Sequence, residues 1–255
     1  MNDLTFIVII PTRYGSTRFP GKALAQLGGK CVIQRVWEQV RQVTDEVVVA
    51  LDDERIEQAV RDFGGRFVMT RKDHKSGTDR IMEAYGKLPT KYDVIINVQG
   101  DEPFIQPSQL RSIMACFYDE STDIATLVKP FAPNRPYSEL ENPNAPKVVI
   151  DKDHNAKYFS RSVIPYLRNV PREEWPKHHQ YYTHLGMYAY RANVLREITS
   201  LPQSSLELAE SLEQLRWLEN GYRIKVGFSD EETIGIDTPQ DLANAEEFLK
   251  SHHLK

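Results

Sequence analysis

Continuous apolar runs bounded by turn residues recur through the first half of the chain. Residues 7–10 (IVII), 47–51 (VVVAL), 67–69 (FVM), 94–98 (VIINV) and 124–128 (IATLV) are short and rich in β-branched side chains. Continuous rather than alternating apolar character predicts parallel strands covered on both faces. The segments between them carry helical spacing. Residues 31–43 place Val32, Ile33, Val36, Val40 and Val43 on one stripe. Asp52 and Asp53 supply N-cap chemistry for a helix over 54–63, which Gly64 and Gly65 stop. Ser76 or Thr78 caps a helix running to about Gly86, and 107–118 opens on Pro107. This alternation predicts an α/β fold with a mostly parallel, doubly wound sheet.

The second half is less regular. Residues 147–150 and 156–159 flank DKDHN and predict a hairpin, and 181–188 is a strand-like aromatic run. Residues 165–179 mix Pro, charge and aromatics without a period, which predicts a mobile or partner-contacting loop. A helix over 206–218, a strand over 224–228 and a terminal helix from Thr238-Pro239 through Leu249 complete the pattern.

A chain of 255 residues can bury the core of one large α/β domain, here spanning 1–255, with a small lobe or arm. The net charge of −4 removes the global basic field expected of a nucleic-acid binder, so no nucleic-acid partner is expected. An acidic chain that binds an anion needs local cations or a metal ion. Cys31 and Cys116 read as buried thiols. The opening MNDLTFIVII lacks a basic n-region and reads as a strand, and no window is apolar enough for a membrane span. The expected location is cytoplasmic.

The loop after the first strand, PTRYGSTRFPGK, holds Arg13, Arg18, Lys22 and two glycines. Three cations so close together predict an anionic ligand, and a dispersed cradle for a polyphosphate fits. Neither the Walker spacing nor the dinucleotide fingerprint is present, which disfavours a nicotinamide oxidoreductase. The turn after the fourth strand supplies Gln99 and Asp101. Asp101 reads either as a plain turn residue or as a Mg²⁺ ligand. Asp237, in GIDTP, reads as a cap of the terminal helix or as a second acid for the same cation. The segment DHKSGTDR reads as a solvated capping loop or as a surface recognising a base or sugar. His184 stands in the aromatic run as a structural residue or a ligand contact. Glu210, Glu213 and Gln214 lie at helical spacing, the last two reading as an exposed face.

Taken in order, PTRYGSTRFPGKAL, DHKSGTDR, NVQGDEP, NPNAPKVV, YFSRSVIPY, HLGMYAYR, LEQLRWLENGYRIKV and GIDTPQDL resemble the 3-deoxy-manno-octulosonate cytidylyltransferase family, the CMP-Kdo synthetases, from about residue 5 to 247. The resemblance implies an α/β nucleotidyltransferase of Rossmann-like type with a small antiparallel dimerisation arm, at about 130–190, and a homodimer. It implies the coupling of CTP and the sugar acid Kdo to CMP-Kdo and pyrophosphate, with Mg²⁺, for lipopolysaccharide synthesis. By resemblance, Arg13, Arg18 and Lys22 contact the CTP phosphates, while Ser76 and Arg80 with nearby backbone contact cytosine and ribose. Asp101 and Asp237 resemble the metal-binding aspartates. With Lys22 and Arg18 offsetting charge on the leaving pyrophosphate, these four form the expected catalytic set. Gln99, Arg161, His184, Tyr188, Glu213 and Gln214 fall where the family binds the sugar acid. Lys75 stands where the commonest version of the base-recognition loop has Gln. No dedicated general base stands out. Competing expectations are a cytidylyltransferase for 8-amino-Kdo or another acidic sugar such as sialic acid, and a catalytically silent sugar-nucleotide sensor.

Overall fold

The computed structural model describes residues 4–231 and 234–252. Residues 1–3 of the predicted N-terminal strand segment, and residues 232–233 and 253–255, lie outside the described residues. The chain divides into a first unit, residues 4–110 with 234–252, and a second, Arg111–Glu231.

In the first unit, strand β1 (Phe6–Pro11) has parallel neighbours on both edges, and Ile7 to Ile10 are buried, as in a sheet covered on both faces. A short hairpin follows, formed by β2 (Gln26–Leu27) and β3 (Lys30–Cys31). Strand β4 (Val47–Leu51) pairs with β1 in register Val8↔Val47, and β5 (Phe67–Met69) with β4 in register Val49↔Phe67. Strand β6 (Val94–Asn97) pairs with β1 on its other edge, Val8↔Ile96. The four strands β6-β1-β4-β5 are all parallel, so the α/β class expected from the apolar runs is observed. The helix Val32–Arg41 buries Val32, Ile33, Val36 and Val40 of the predicted stripe, while Val43 lies beyond its end and is half-buried. Arg35 sits on the same face. Its Nη2 donates to Gly28 O at 2.8 Å and its Nε to Leu27 O, so a buried guanidinium satisfies the carbonyls of the hairpin turn.

Three helix starts that the sequence left open are resolved. Asp53, rather than Asp52, caps Glu54–Asp62 by accepting from Arg55 N at 3.0 Å. Ser76, rather than Thr78, caps Gly77–Lys87 through Asp79 N at 3.1 Å. Thr238 and Asp241 form a capping box at Pro239–Ser251, with Thr238 N donating to Asp241 Oδ2 at 2.8 Å. Asp52 and Asp237 are thereby available for other work.

The second unit is built on β7 (Ile124–Pro130), β8 (Lys147–Ile150), β9 (Ala156–Ser160), β10 (Tyr182–Arg191) and β11 (Ile224–Phe228). Strand β11 runs parallel to β7, whereas β10 runs antiparallel to it with a register shift between Leu185 and Tyr188. The predicted hairpin is β8–β9, within the 130–190 span where an arm was expected.

Two expectations change here. Of the mobile or partner-contacting loop expected over 165–179, the mobile alternative fails: Trp175 opens the helix Trp175–His178, is buried beside Phe131, Leu140 and Tyr181, and donates Nε1–H to Val170 O at 2.9 Å. A four-residue element is too short to show a period, so one large side chain fixes what patterning could not reveal. The helix expected over 206–218 is two helices, Ser205–Glu210 and Gln214–Glu219, separated by Ser211 in the left-handed region at φ 51°. Cys31 and Cys116 are buried thiols as expected. Among the described residues, no helix is long and apolar enough to cross a membrane.

Candidate active site

The loop leaving β1 is held by one tyrosine. The Tyr14 carbonyl accepts from Ser16 N and Gly21 N, each at 2.9 Å. Gly21 has φ 72°, and a Cβ there would come within 3.1 Å of the Tyr14 ring. The Arg55 guanidinium lies 3.4 Å from the centroid of that ring. Tyr14 N in turn donates to Asp52 Oδ1 at 3.1 Å, while Asp52 Oδ2 accepts from Arg80 Nη2 at 2.9 Å. Asp52 and Arg80 are both buried, and Arg80 Nη1 also donates to Thr70 Oγ1 at 2.6 Å. The sequence reading missed Tyr14 and Asp52. The available signal was two adjacent acids at a strand end where only one can cap the helix.

Two distant segments meet at this loop. In the turn after β6, a Cβ on Gly100 would meet Pro11 O at 2.9 Å, so the turn backs directly onto the end of β1. Ile236 N donates to Asp101 O at 2.8 Å, which ties the approach to the terminal helix to the same turn. The two predicted acids therefore converge. The Lys22 ammonium donates to Asp237 Oδ1 at 2.9 Å and to Asp101 Oδ2, and Arg18 Nη2 donates to Asp237 Oδ2 at 2.8 Å. Burial works against the Lys22 charge, but Asp101 and then Asp237 outweigh it and raise its pKa.

Of the eight residues predicted in this unit, seven line one cavity of about 290 Å³: Arg13, Lys22, Ser76, Arg80, Gln99, Asp101 and Asp237. Arg18, whose side chain is 66% exposed, reaches the site through Asp237. Arg13 is exposed and makes no ion pair among the described residues, as a cation waiting on a ligand would. Ser76 uses a lone pair as the helix cap and keeps its own O–H, and Gln99 Nε2 rests on Asn97 Oδ1 at 3.2 Å. His74, on the cavity wall, contacts Glu83 through Nε2. Burial opposes the Glu83 charge, yet bonds from Lys87, His74 and Arg71 N hold it at about 2.

Among the described residues no group of three His, Cys, Asp or Glu side chains is placed to hold a metal ion. The pair Asp101 and Asp237 nevertheless already brackets one cation, the Lys22 ammonium. Magnesium commonly takes one or two carboxylates and completes its shell with phosphate oxygens and water. The acids present fit an ion arriving with a phosphorylated ligand.

The other predicted residues belong to the second unit. The irregularity in β10 brings His184 and Tyr188 together, with ring centroids 5.3 Å apart. Burial drives the His184 pKa down to about 3 and pushes the Tyr188 hydroxyl well above its ordinary value, helped by Tyr190 and Glu213. Gln214 Nε2 is buried with no hydrogen-bond partner among the described residues, and the buried Tyr188 Oη lies against the Thr126 hydroxyl. Gln214 is buried because it opens a short second helix instead of riding the outside of a long one. Glu213 meets Arg216 at 3.2 Å. Arg161 donates to the carbonyls of Glu210 (2.7 Å), Pro143 (2.9 Å) and Ser211 (3.2 Å), so much of its guanidinium braces the backbone. Glu210 accepts from Ser160 Oγ at 2.6 Å and Arg161 N at 3.0 Å, which makes it part of that brace.

Residues 7–225 match the cytidylyltransferase family. The chain is 66% identical over 248 residues to the 3-deoxy-manno-octulosonate cytidylyltransferase of Bacteroides thetaiotaomicron, covering 97% of this chain and 99% of the relative. It is 68% identical over 247 residues to the enzyme of the same name from Phocaeicola vulgatus, covering 97% and 98%. A solved structure of CMP:2-keto-3-deoxy-manno-octonic acid synthetase complexed with CTP superposes with a TM-score of 0.89 at 41% identity, covering 97% of this chain and 99% of that one.

Proposed function

This chain belongs to the cytidylyltransferase family, among the 3-deoxy-manno-octulosonate cytidylyltransferases, and from that premise we propose how its residues couple CTP to Kdo. The products are CMP-Kdo, a precursor for lipopolysaccharide synthesis, and pyrophosphate. The sugar's anomeric hydroxyl oxygen attacks the α-phosphorus of CTP. The bond from that phosphorus to the β-phosphate breaks, and the hydroxyl proton is released.

One observation carries the assignment of the reacting centre: Asp101 and Asp237 close on a single cation in the lining of the cavity. CTP and a sugar carboxylate repel each other, so positive charge at their meeting point is the first requirement. Magnesium held by Asp101 and Asp237 with phosphate oxygens would supply Lewis-acid stabilisation of charge at the α-phosphate. Arg13, Arg18 and Lys22 bind the phosphates, and the last two offset charge on the departing pyrophosphate. The Ser76 hydroxyl, the backbone at the start of Gly77–Lys87 and Arg80 receive the nucleoside. Gln99, Arg161, His184, Tyr188, Glu213 and Gln214 bind the sugar acid. The unpartnered Gln214 amide supports this, since buried polar atoms normally find partners. A single nucleotidyltransferase domain that dimerises through its 130–190 arm in the cytoplasm belongs to the same reading, and light scattering tests the dimer.

Pyrophosphate release from CTP and Mg²⁺, with Kdo, its 8-amino analogue and sialic acid each supplied in turn, tests the function. Release with Kdo above the others is expected. Preference for another sugar transfers the assignment to that substrate, and nucleotide binding without release with any of them supports a sensor.

A further inference from the structure

We propose that Thr126 is a positioning residue that fixes His184 as its Nε2–H tautomer, so that Nδ1 accepts a hydrogen bond from a hydroxyl group of the sugar acid. The sugar limb rests on the proposed placement of Kdo at His184; the tautomer limb does not.

Thr126 is fully buried in β7, beside the irregular stretch of β10. Its Oγ1 meets Met187 O at 2.8 Å, Leu185 O at 3.3 Å and His184 Nε2 at 2.9 Å, and the Tyr188 hydroxyl, which can donate to its second lone pair, lies against it as well. A hydroxyl carries one proton. Two of these neighbours are carbonyl oxygens, which only accept, so the Thr126 proton points to Met187 O, the nearer of them. Nε2 then has to supply the proton on its own line to Oγ1. A neutral imidazole has one N–H, which leaves Nδ1 as a lone pair.

The rest of the pocket keeps the ring neutral and fixed. Phe159 meets it edge-on at 5.2 Å and Tyr188 lies at 5.3 Å. Its backbone N–H donates to Pro146 O at 2.8 Å, holding the strand on the side away from β7. Nδ1 has no hydrogen-bond partner among the described residues. A bare Nδ1 lone pair repels a carboxylate and accepts from an O–H. His184 therefore reads a hydroxyl of the substrate and not its acid group, which specifies the orientation of the sugar.

Histidine-selective ¹⁵N labelling of the ligand-free protein tests the tautomer directly. The His184 spectrum is expected to show a protonated Nε2 and an unprotonated Nδ1. Thr126→Val is expected to shift the tautomer ratio toward Nδ1–H and to raise KM for Kdo about tenfold, roughly the loss of one hydrogen bond. KM for CTP should stay within twofold, which also reports that the variant folds. Thr126→Ser, which keeps the hydroxyl, should restore both the spectrum and KM. A protonated Nδ1 in the unsubstituted protein, or a tautomer insensitive to Thr126→Val, overturns the proposal. If the tautomer responds but KM for Kdo does not move, the sugar contact at His184 is overturned, and the fault lies in where the sugar was placed.

Discussion

Lys22 and Asp237 are 215 positions apart in the chain, yet the lysine ammonium lies 2.9 Å from the aspartate carboxylate. Asp101 accepts from the same ammonium. The arrangement predicts that Asp101 is needed for charge control in the reaction rather than for folding. Its side chain has one strong partner, and its backbone tie to Ile236 survives substitution. Asp101→Asn should lower kcat on the order of 10²-fold or more while leaving the circular dichroism spectrum intact. Near-normal turnover at saturating Mg²⁺ would remove Asp101 from the metal site.

Lys22 stands where a divalent ion would bind, so the two compete. At about 4 Å and an effective dielectric near 20, each charge pair is worth roughly 4 kcal/mol before desolvation. Lys22→Met should therefore bind Mn²⁺ more tightly than the unsubstituted protein in the absence of nucleotide, by about tenfold or more. The same substitution should weaken CTP binding, because one of three phosphate cations is gone. Paramagnetic titration of Mn²⁺ without CTP measures the first effect. Equal or weaker Mn²⁺ binding in the variant would show that the ammonium does not occupy the ion's place.

The parallel strands of the first unit were legible because full burial writes itself as continuous apolar sequence, as at residues 7–10. The cavity residues Arg13, Lys22, Asp101 and Asp237 were legible as charges stranded at the ends of such strands. Asp52 was not, since an acid before a helix reads as a cap whether or not it caps. Gln214 was misplaced on an exposed face because helical spacing across Ser211 is continuous in sequence, and only the left-handed backbone there breaks it. Thr126 was hidden for another reason: a threonine in an apolar strand shows no sign of the histidine it meets 58 positions later.

Arg80 and Arg13 both line the cavity but should fail in different ways. Arg80 is locked to Asp52 and Thr70 in the interior, whereas Arg13 is exposed. Breaking a buried ion pair from one side costs about 3–5 kcal/mol. Arg80→Met should lower Tm by about 10 °C and release Asp52, and with it Tyr14 of the phosphate loop. Arg13→Ala should leave Tm unchanged and raise KM for CTP without altering that for Kdo. Calorimetry and initial rates separate the two, and a stable Arg80→Met protein would contradict the bracing role.

His184 should leave a signature in the acid stability of the protein. Its pKa falls from the ordinary 6.5 to about 3 on folding because the ring is buried among Thr126, Phe159 and Tyr188. Between those values the unfolded chain binds a proton that the folded chain refuses. Stability is therefore full above pH 6.5 and lost as pH falls toward 3, at up to about 1.4 kcal/mol per pH unit. Glu83, held at about 2, adds a loss of the same sign but only below the ordinary glutamate range of about 4.5. Urea unfolding at pH 7 and pH 5, compared with His184→Asn, isolates the histidine, because Glu102, raised to about 8, and His179, lowered by burial, contribute alike in both proteins and Glu83 stays ionised over most of that interval. The unsubstituted protein should lose about 2 kcal/mol more across the interval than His184→Asn, which cannot take up the proton. Parallel curves for the two proteins would mean that the imidazole is accessible enough to ionise in place.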